Sequence, residues 1–549
     1  MVRHHDAATS LISRRTFLAR AALLAAGSTF ASSFLSCDSP GFEIPCLGPA
    51  PPPSPVSGMN YIWASKIGCA LDCDLRNGRN KYTRGAATDD APRINAAMAA
   101  ATADNPITLI IDGSALISGL FLPAGGHWGI AGLGCGMGFF ISTGTNNDGI
   151  HNGPPGAGVP QEPGPPAPLR GRNVSLKNFT VNGNQGGGFD GNSTSGTIQG
   201  NQYRWLFGIN LMNLDNIDIQ NVVVVNAPAY HIRFNNVGNV AVSGCVFKSS
   251  GLSTDGLHFD GPSNDITITG CHFETGDDSI ALNCPEGYSG NISRVNVTNC
   301  TFNSLSLMRL YTSSGGPARF TIDDVTVSNC KGNVWEGAFL IGLGNGSNLN
   351  SIASLAISDC VLQAPTILAL AENFGDITLK NVTLQPSPSL TTWVAPQANN
   401  ICAFARPSPL YGGGMYVGSI LSFENCVIER FRNIDAPALI LENDSLIENL
   451  IFNGFGLKNE AGSSPIPGLL NIGSGFIREL LLESVNSSGI TAPISPGEFS
   501  SIAAVSGAGV LASGWKFPDE IMANGVPYLS LSSGLQSIKQ AGMVHPYPG

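Results

Sequence analysis

Five cysteines, Cys245, Cys271, Cys300, Cys330 and Cys360, occupy the same place in five related phrases: NVAVSGCVF, DITITGCHF, RVNVTNCTF, DVTVSNCKG and SLAISDCVL. Their separations of 26, 29, 30 and 30 residues suit one rung of a right-handed parallel β-helix, in which three short strands and three turns complete a circuit. The frame extends upstream to Phe179 and Val222, and downstream to Val382, Cys426, Phe455 and Val485. Residues one period apart in such a solenoid lie about 4.8 Å apart, so the repeat turns a linear sequence into a map of neighbours. The ladder cysteines exchange with Val and Phe at equivalent rungs. They are therefore expected to be small buried hydrophobes, stacked and reduced in the core, rather than metal ligands.

Only 12% of the residues are charged, 43% are hydrophobic and 67 are glycine, which suits an all-β solenoid with a large core and many turns. The net charge of -11, with no basic run after the leader, argues against nucleic acid as a partner. Near the N-terminus Arg14 and Arg15 in SRRTFL precede AALLAAG, a pattern that resembles a bacterial twin-arginine export signal. Residues 1–36 are thus expected to direct export to the periplasm or beyond, and a Pro-rich linker follows over 37–58. Cys37 in SFLSC is a candidate lipid acceptor, with Phe34 where lipoproteins usually carry Leu, and membrane attachment is expected only through it. In an exported chain, Cys69 with Cys73, or Cys37 with Cys46, are plausible disulfides.

Residues 59–105 read as an irregular segment ending in a helix over TDDAPRINAAMAAATADN. It has an Asp cap, Pro92 near the first turn and an Ala-rich body, and would cover the open end of the solenoid. The β-helix is expected over 106–498, with loops at 143–172 and 182–202 that wall a groove. A C-terminal tail follows over 499–549.

After each ladder position comes the last strand of the rung, and five such strands align: AYHIRFN, TDGLHFD, DDSIALN, SLMRLYT and EGAFLIG. Alternation sends Ile232, Leu257, Ile280, Met308 and Leu340 inward and leaves three outward columns. The first holds Tyr230, Asp255, Asp278, Ser306 and Glu336. The second holds Arg233, His258, Ala281, Arg309 and Phe339, and the third Asn235, Asp260, Asn283, Tyr311 and Ile341. With Asp277 at the adjacent turn, three acids crowd one spot. Such proximity raises at least one carboxyl pKa, as a general acid beside a general base requires, and glycoside hydrolysis uses that pair. The bland alternative is that these aspartates cap turns or hold structural calcium.

STDG (253–256) followed by TGDDSIAL (275–282) resembles the signature of family 28 glycoside hydrolases, the polygalacturonases and rhamnogalacturonases, which fold as right-handed parallel β-helices. The similarity of coil pattern spans roughly 88–490, and the start of the β-helix looks like the pectate-lyase-like domain of family-28-related proteins and phage tailspikes. The resemblance implies Asp277 as general acid, with Asp255 and Asp278 holding the attacking water, and an inverting mechanism that needs no metal or other cofactor. It also implies a polysaccharide partner, with Arg233, His258, Asp260, Asn283, Arg309, Tyr311 and Glu336 as candidate substrate-binding residues. Two features depart from the family: its Gly-His-Gly rung is absent, and Tyr311 stands where a lysine belongs. His258 could replace the missing histidine, and Arg309 or Arg233 could receive an acidic sugar. Two other readings stay open, a calcium-dependent polysaccharide lyase with Arg309 as base and a non-catalytic carbohydrate-binding solenoid.

Overall fold

The computed structural model describes residues 56–506 except 135, 143–147, 154–165, 185–196, 199–200, 206, 252, 313–318, 343–350, 387–401, 409–415, 430–436, 442–444, 459–465, 474, 486–489 and 497–500. The leader, Cys37, Cys46, most of the linker, much of the two early insertions and the tail beyond 506 lie outside the described residues. Among those described, 34 strands join one continuous parallel ladder and a short antiparallel hairpin stands apart, Thr197–Ile198 against Asn201–Trp205. The architecture is a right-handed parallel β-helix.

The repeated phrase explains the turn that closes each rung. The residue before the ladder position must adopt a left-handed backbone, and Asn178, Asn221, Gly244, Gly270, Asn299, Asn329 and Asp359 do so with φ between 51° and 62°. Gly, Asn and Asp enter that region at least cost. The asparagines also join rung to rung, as when Asn221 Nδ2 donates to Asn178 Oδ1 at 3.1 Å. Behind this turn the five ladder cysteines are buried free thiols, with Cys426 and the equivalent Phe179, Val222, Val382 and Phe455 buried in the same core. Aromatic rings stack along the axis as well: Phe273 lies between Phe247 and Phe302 at centroid distances of 5.1 and 5.2 Å, close to one rung spacing.

The inward column and the second and third outward columns hold in register over four rungs. Ile232, Leu257, Ile280 and Met308 pair in sequence, and so do Arg233, His258, Ala281 and Arg309, and Asn235, Asp260, Asn283 and Tyr311. The fifth rung slips by one residue from the expected alignment. A register shift falls between Ser304 and Ser306, so Met308 pairs with Phe339 and Arg309 with Leu340. Phe339 and Ile341 therefore enter the core, and Leu340 turns out to a small cluster with Leu305 and Ala369. A bulge that sets two residues against one has this effect on every later side chain.

Three other expectations are corrected. Cys69 and Cys73 are both free; Cys69 joins the main core and Cys73 a separate cluster with Leu75 and Phe140. The helix covers only Ala91–Met98. Asp90 makes no side-chain cap but accepts the Ala70 and Leu71 N–H groups, and Asp89 accepts that of Ala91. The ladder also overruns the expected limits at both ends, for Asn60–Trp63 pairs with Ile107–Ile111 and Ser501–Ser506 with Phe476–Glu483.

Candidate active site

Two motif glycines let the acids approach one another. A Cβ on Gly256 would lie 2.5 Å from both Ser279 O and Phe273 Cδ1, and one on Gly276 would lie 2.1 Å from Gly251 O. Between these tight contacts, Asp255, Asp277 and Asp278 each present a carboxylate oxygen within 4.8 Å of the other two. The spot could hold a divalent cation as readily as a sugar and a water, and the hydrogen bonds distinguish the three acids.

Asp278 is buried and both its oxygens are engaged. Ser306 Oγ donates to Oδ1 at 2.6 Å, and Arg309 Nε donates to Oδ2. Asp277 is half-buried; its oxygens accept the backbone N–H groups of Ser253 at 2.8 Å and Asp278 at 3.1 Å. Loss of solvation, with the charges of Asp278 and Asp255, pushes the Asp277 carboxyl well above its ordinary value. Asp255 is buried as well, and burial raises its pKa to about 6 against the lowering effect of its hydrogen bond to His258. Asp277 is thus the acid that burial and its neighbours' charges push furthest toward its protonated form, while Arg309 and Ser306 hold Asp278 and His258 holds Asp255.

His258 anchors the other side of Asp255. Its Nδ1 lies 2.7 Å from Asp255 Oδ2, and its Nε2 lies 3.0 Å from Asp260 Oδ1 and 3.1 Å from Glu286 Oε2. Burial by itself would lower the histidine pKa, but these three carboxylates raise it well above normal, so both nitrogens act as donors. The imidazole also stacks on Tyr230, centroids 3.8 Å apart, and Tyr230 on Phe207 at 5.2 Å. His258, Asp260 and Glu286 also bring ligand-type atoms within 4.8 Å of one another, and a metal bound there would have to displace the imidazole proton.

The remaining candidates separate by exposure. Arg233 and Asp260 are paired with each other and fully buried, with Arg233 over the Phe207 ring at 5.4 Å, and so do not face an open groove. Asn283 and Tyr311 are buried next to each other in register. Glu336 is only 1% exposed. Its carboxyl is raised well above normal by burial and by the charges of Asp278 and Asp277, against the lowering effect of Arg309. Sequence reasoning assigned no role to Ser253, Ser306 or Glu286. Ser306 stood in the first column one rung from Asp278, and Glu286 lies in CPEG directly after Asn283, where the strand Asp278–Thr298 shifts register against its neighbour.

Residues 163–339 match the family model of Glycosyl hydrolases family 28, and this stretch contains every residue of the cluster. No curated protein sequence matches the chain. Among solved structures, the family 28 exopolygalacturonase of Yersinia enterocolitica is similar at 11% identity, covering 82% of this chain and 78% of that one, with a TM-score of 0.46. The A-module of the mannuronan C-5 epimerase AlgE4 of Azotobacter vinelandii is similar at 12% identity, covering 81% and 100%, with a TM-score of 0.43. The tailspike protein of E. coli bacteriophage HK620, solved with a pentasaccharide, is similar at 10% identity, covering 79% and 80%, with a TM-score of 0.45.

Proposed function

We propose that this chain is an exported glycoside hydrolase that cleaves a polysaccharide by acid/base chemistry with inversion. The observation that carries the reading is the convergence of Asp255, Asp277 and Asp278 within 4.8 Å, with the Asp277 carboxyl pushed well above its ordinary value and Asp255 bonded to His258. Asp277 protonates the leaving glycosidic oxygen, while Asp255 and Asp278 hold the water that attacks the anomeric carbon. Ser306 and Arg309 fix Asp278, and His258 fixes Asp255, so neither is free to swing onto carbon as a nucleophile. These oxygens stand closer than the roughly 6.5–9.5 Å of a two-carboxylate inverting site; here two carboxylates share the water and the third is the acid. Arg309 supports hydrolysis over a lyase reaction, because a guanidinium bound to a buried carboxylate is a poor base. Export rests on the twin-arginine leader.

A panel of polysaccharides, assayed with and without chelator, tests the reading. New reducing ends without ultraviolet-absorbing unsaturated products, unaffected by chelator, are expected, and proton NMR should show the inverted anomer forming first. Chelator-sensitive absorbance would instead identify a lyase. The pH profile carries a second expectation. Asp255 must be ionised, so kcat/KM should rise through an apparent pKa of about 6. Asp277 must stay protonated, so the rate should fall again as pH rises through its own raised pKa. A profile already flat from pH 4 to 6 would contradict the role of Asp255.

A further inference from the structure

Among the described residues, each cation that lines this cluster is engaged by the cluster's own acids. Arg233 is bound to Asp260. His258 serves Asp255, Asp260 and Glu286. Arg309 is bound to Asp278, and its charge also acts on Asp255, Asp277 and Glu336. Six carboxyl groups, Asp255, Asp260, Asp277, Asp278, Glu286 and Glu336, therefore stand against three cations. With Asp277 and Glu336 protonated, four carboxylates still outnumber them, and the site keeps net negative charge.

Neighbouring positions do not restore the balance. Flanking rungs of the Arg309 column carry Ala281, Leu340 and Ala369, and Arg406 follows only at the third rung, roughly 14 Å along the axis. The Asn235 column adds Asp260, Asn283 and Tyr311. His231 is buried, and burial lowers its pKa to about 4; Lys248 is tied to Glu274 at 2.7 Å and Arg170 to Asp215 at 3.0 Å. What the site does offer is hydrogen bonding to uncharged groups. Asn235 Nδ2, Asn283 Oδ1, Glu336 Oε1 and Arg233 Nη1 are buried polar atoms without partners, a condition that folded proteins rarely leave unmet; of these groups only Arg233 is a cation, and Asp260 meets its charge. An amide oxygen and a neutral carboxyl suit sugar hydroxyls.

We infer that the sugar unit cut at this site carries no carboxylate: the substrate is a neutral glycan, or a mixed one cleaved at a neutral residue. A uronate here would bring a further negative charge into a site of low dielectric where, among the described residues of the cluster, each cation is already paired with a carboxylate. This inference rests on the hydrolase reading for its cleavage arm alone.

The experiment compares acidic polymers with their own neutral forms. Polygalacturonate and alginate are each paired with the product of carbodiimide–borohydride reduction, which turns the carboxylate into a primary alcohol and leaves the linkages unchanged. Binding is read by affinity electrophoresis of the Asp277→Asn protein, and cleavage by reducing ends from the wild type. The reduced polymers should bind at least about tenfold more tightly than their parents, and binding of the parents should strengthen as salt screens the repulsion. Tyr311→Lys, which adds a cation on the same face, should shrink that preference. An acidic parent bound or cleaved as well as its reduced form overturns the inference. Tighter binding of the reduced form without reducing ends from any polymer upholds it and removes the hydrolase reading instead.

Discussion

Asp277→Asn should lower kcat on a polysaccharide by roughly 10²–10⁴-fold while leaving KM within about threefold, because the amide keeps the shape of the acid and loses only its proton. An aryl glycoside with a good leaving group should recover most of that loss, since the phenolate departs without protonation. Asp255→Asn should damage both substrates alike, because attack by water is impaired whichever group leaves. Steady-state kinetics on the two substrates separate the roles. Equal losses for both substrates in the Asp277 variant would assign the acid elsewhere, with Glu336 next on the same face.

The second large effect is on stability. Phe273 is buried in the middle of the three-ring stack with Phe247 and Phe302, and Phe273→Ala should destabilise the protein by about 3–5 kcal/mol, from lost transfer energy and the cavity left behind. A solenoid sums nearest-neighbour terms, so the rungs on either side should weaken first. The ring also lies beneath Gly256, next to Asp255, and activity should decline at lower urea concentrations than in the wild type. Val361→Ala, at a residue 45% exposed, should stay within about 0.5 kcal/mol. Urea unfolding curves of both variants check this; indistinguishable midpoints would mean that the stack contributes little.

Much of this was readable from the residues because two periods coincide. The Asn-Cys and Gly-Cys pairs fixed where each rung turns, and strand alternation then placed Arg233 beside His258 and Asp260 beside Asn283. The fifth rung escaped because a bulge leaves no mark in composition: EGAFLIG reads equally well in two registers, both with an apolar residue inward. Pairing was also hidden. Nothing in the sequence says that Arg233 spends its charge on Asp260, since both lie on outward positions and only the folded chain shows them buried. Glu286 was missed for the opposite reason, as it sits in an insertion outside the repeat.

The cysteine ladder bears on how the protein would fail. All of its thiols are buried and free, and a thiol that solvent cannot reach does not meet oxidants. Unfolding would remove that protection all at once, exposing many thiols along one stretch of chain that any oxidising medium would join as disulfides. Crosslinked in the wrong order, the ladder positions could no longer stack, and the chain could not retrace its path. Durability would then be measured as a lifetime before first opening rather than as an equilibrium between folded and unfolded forms.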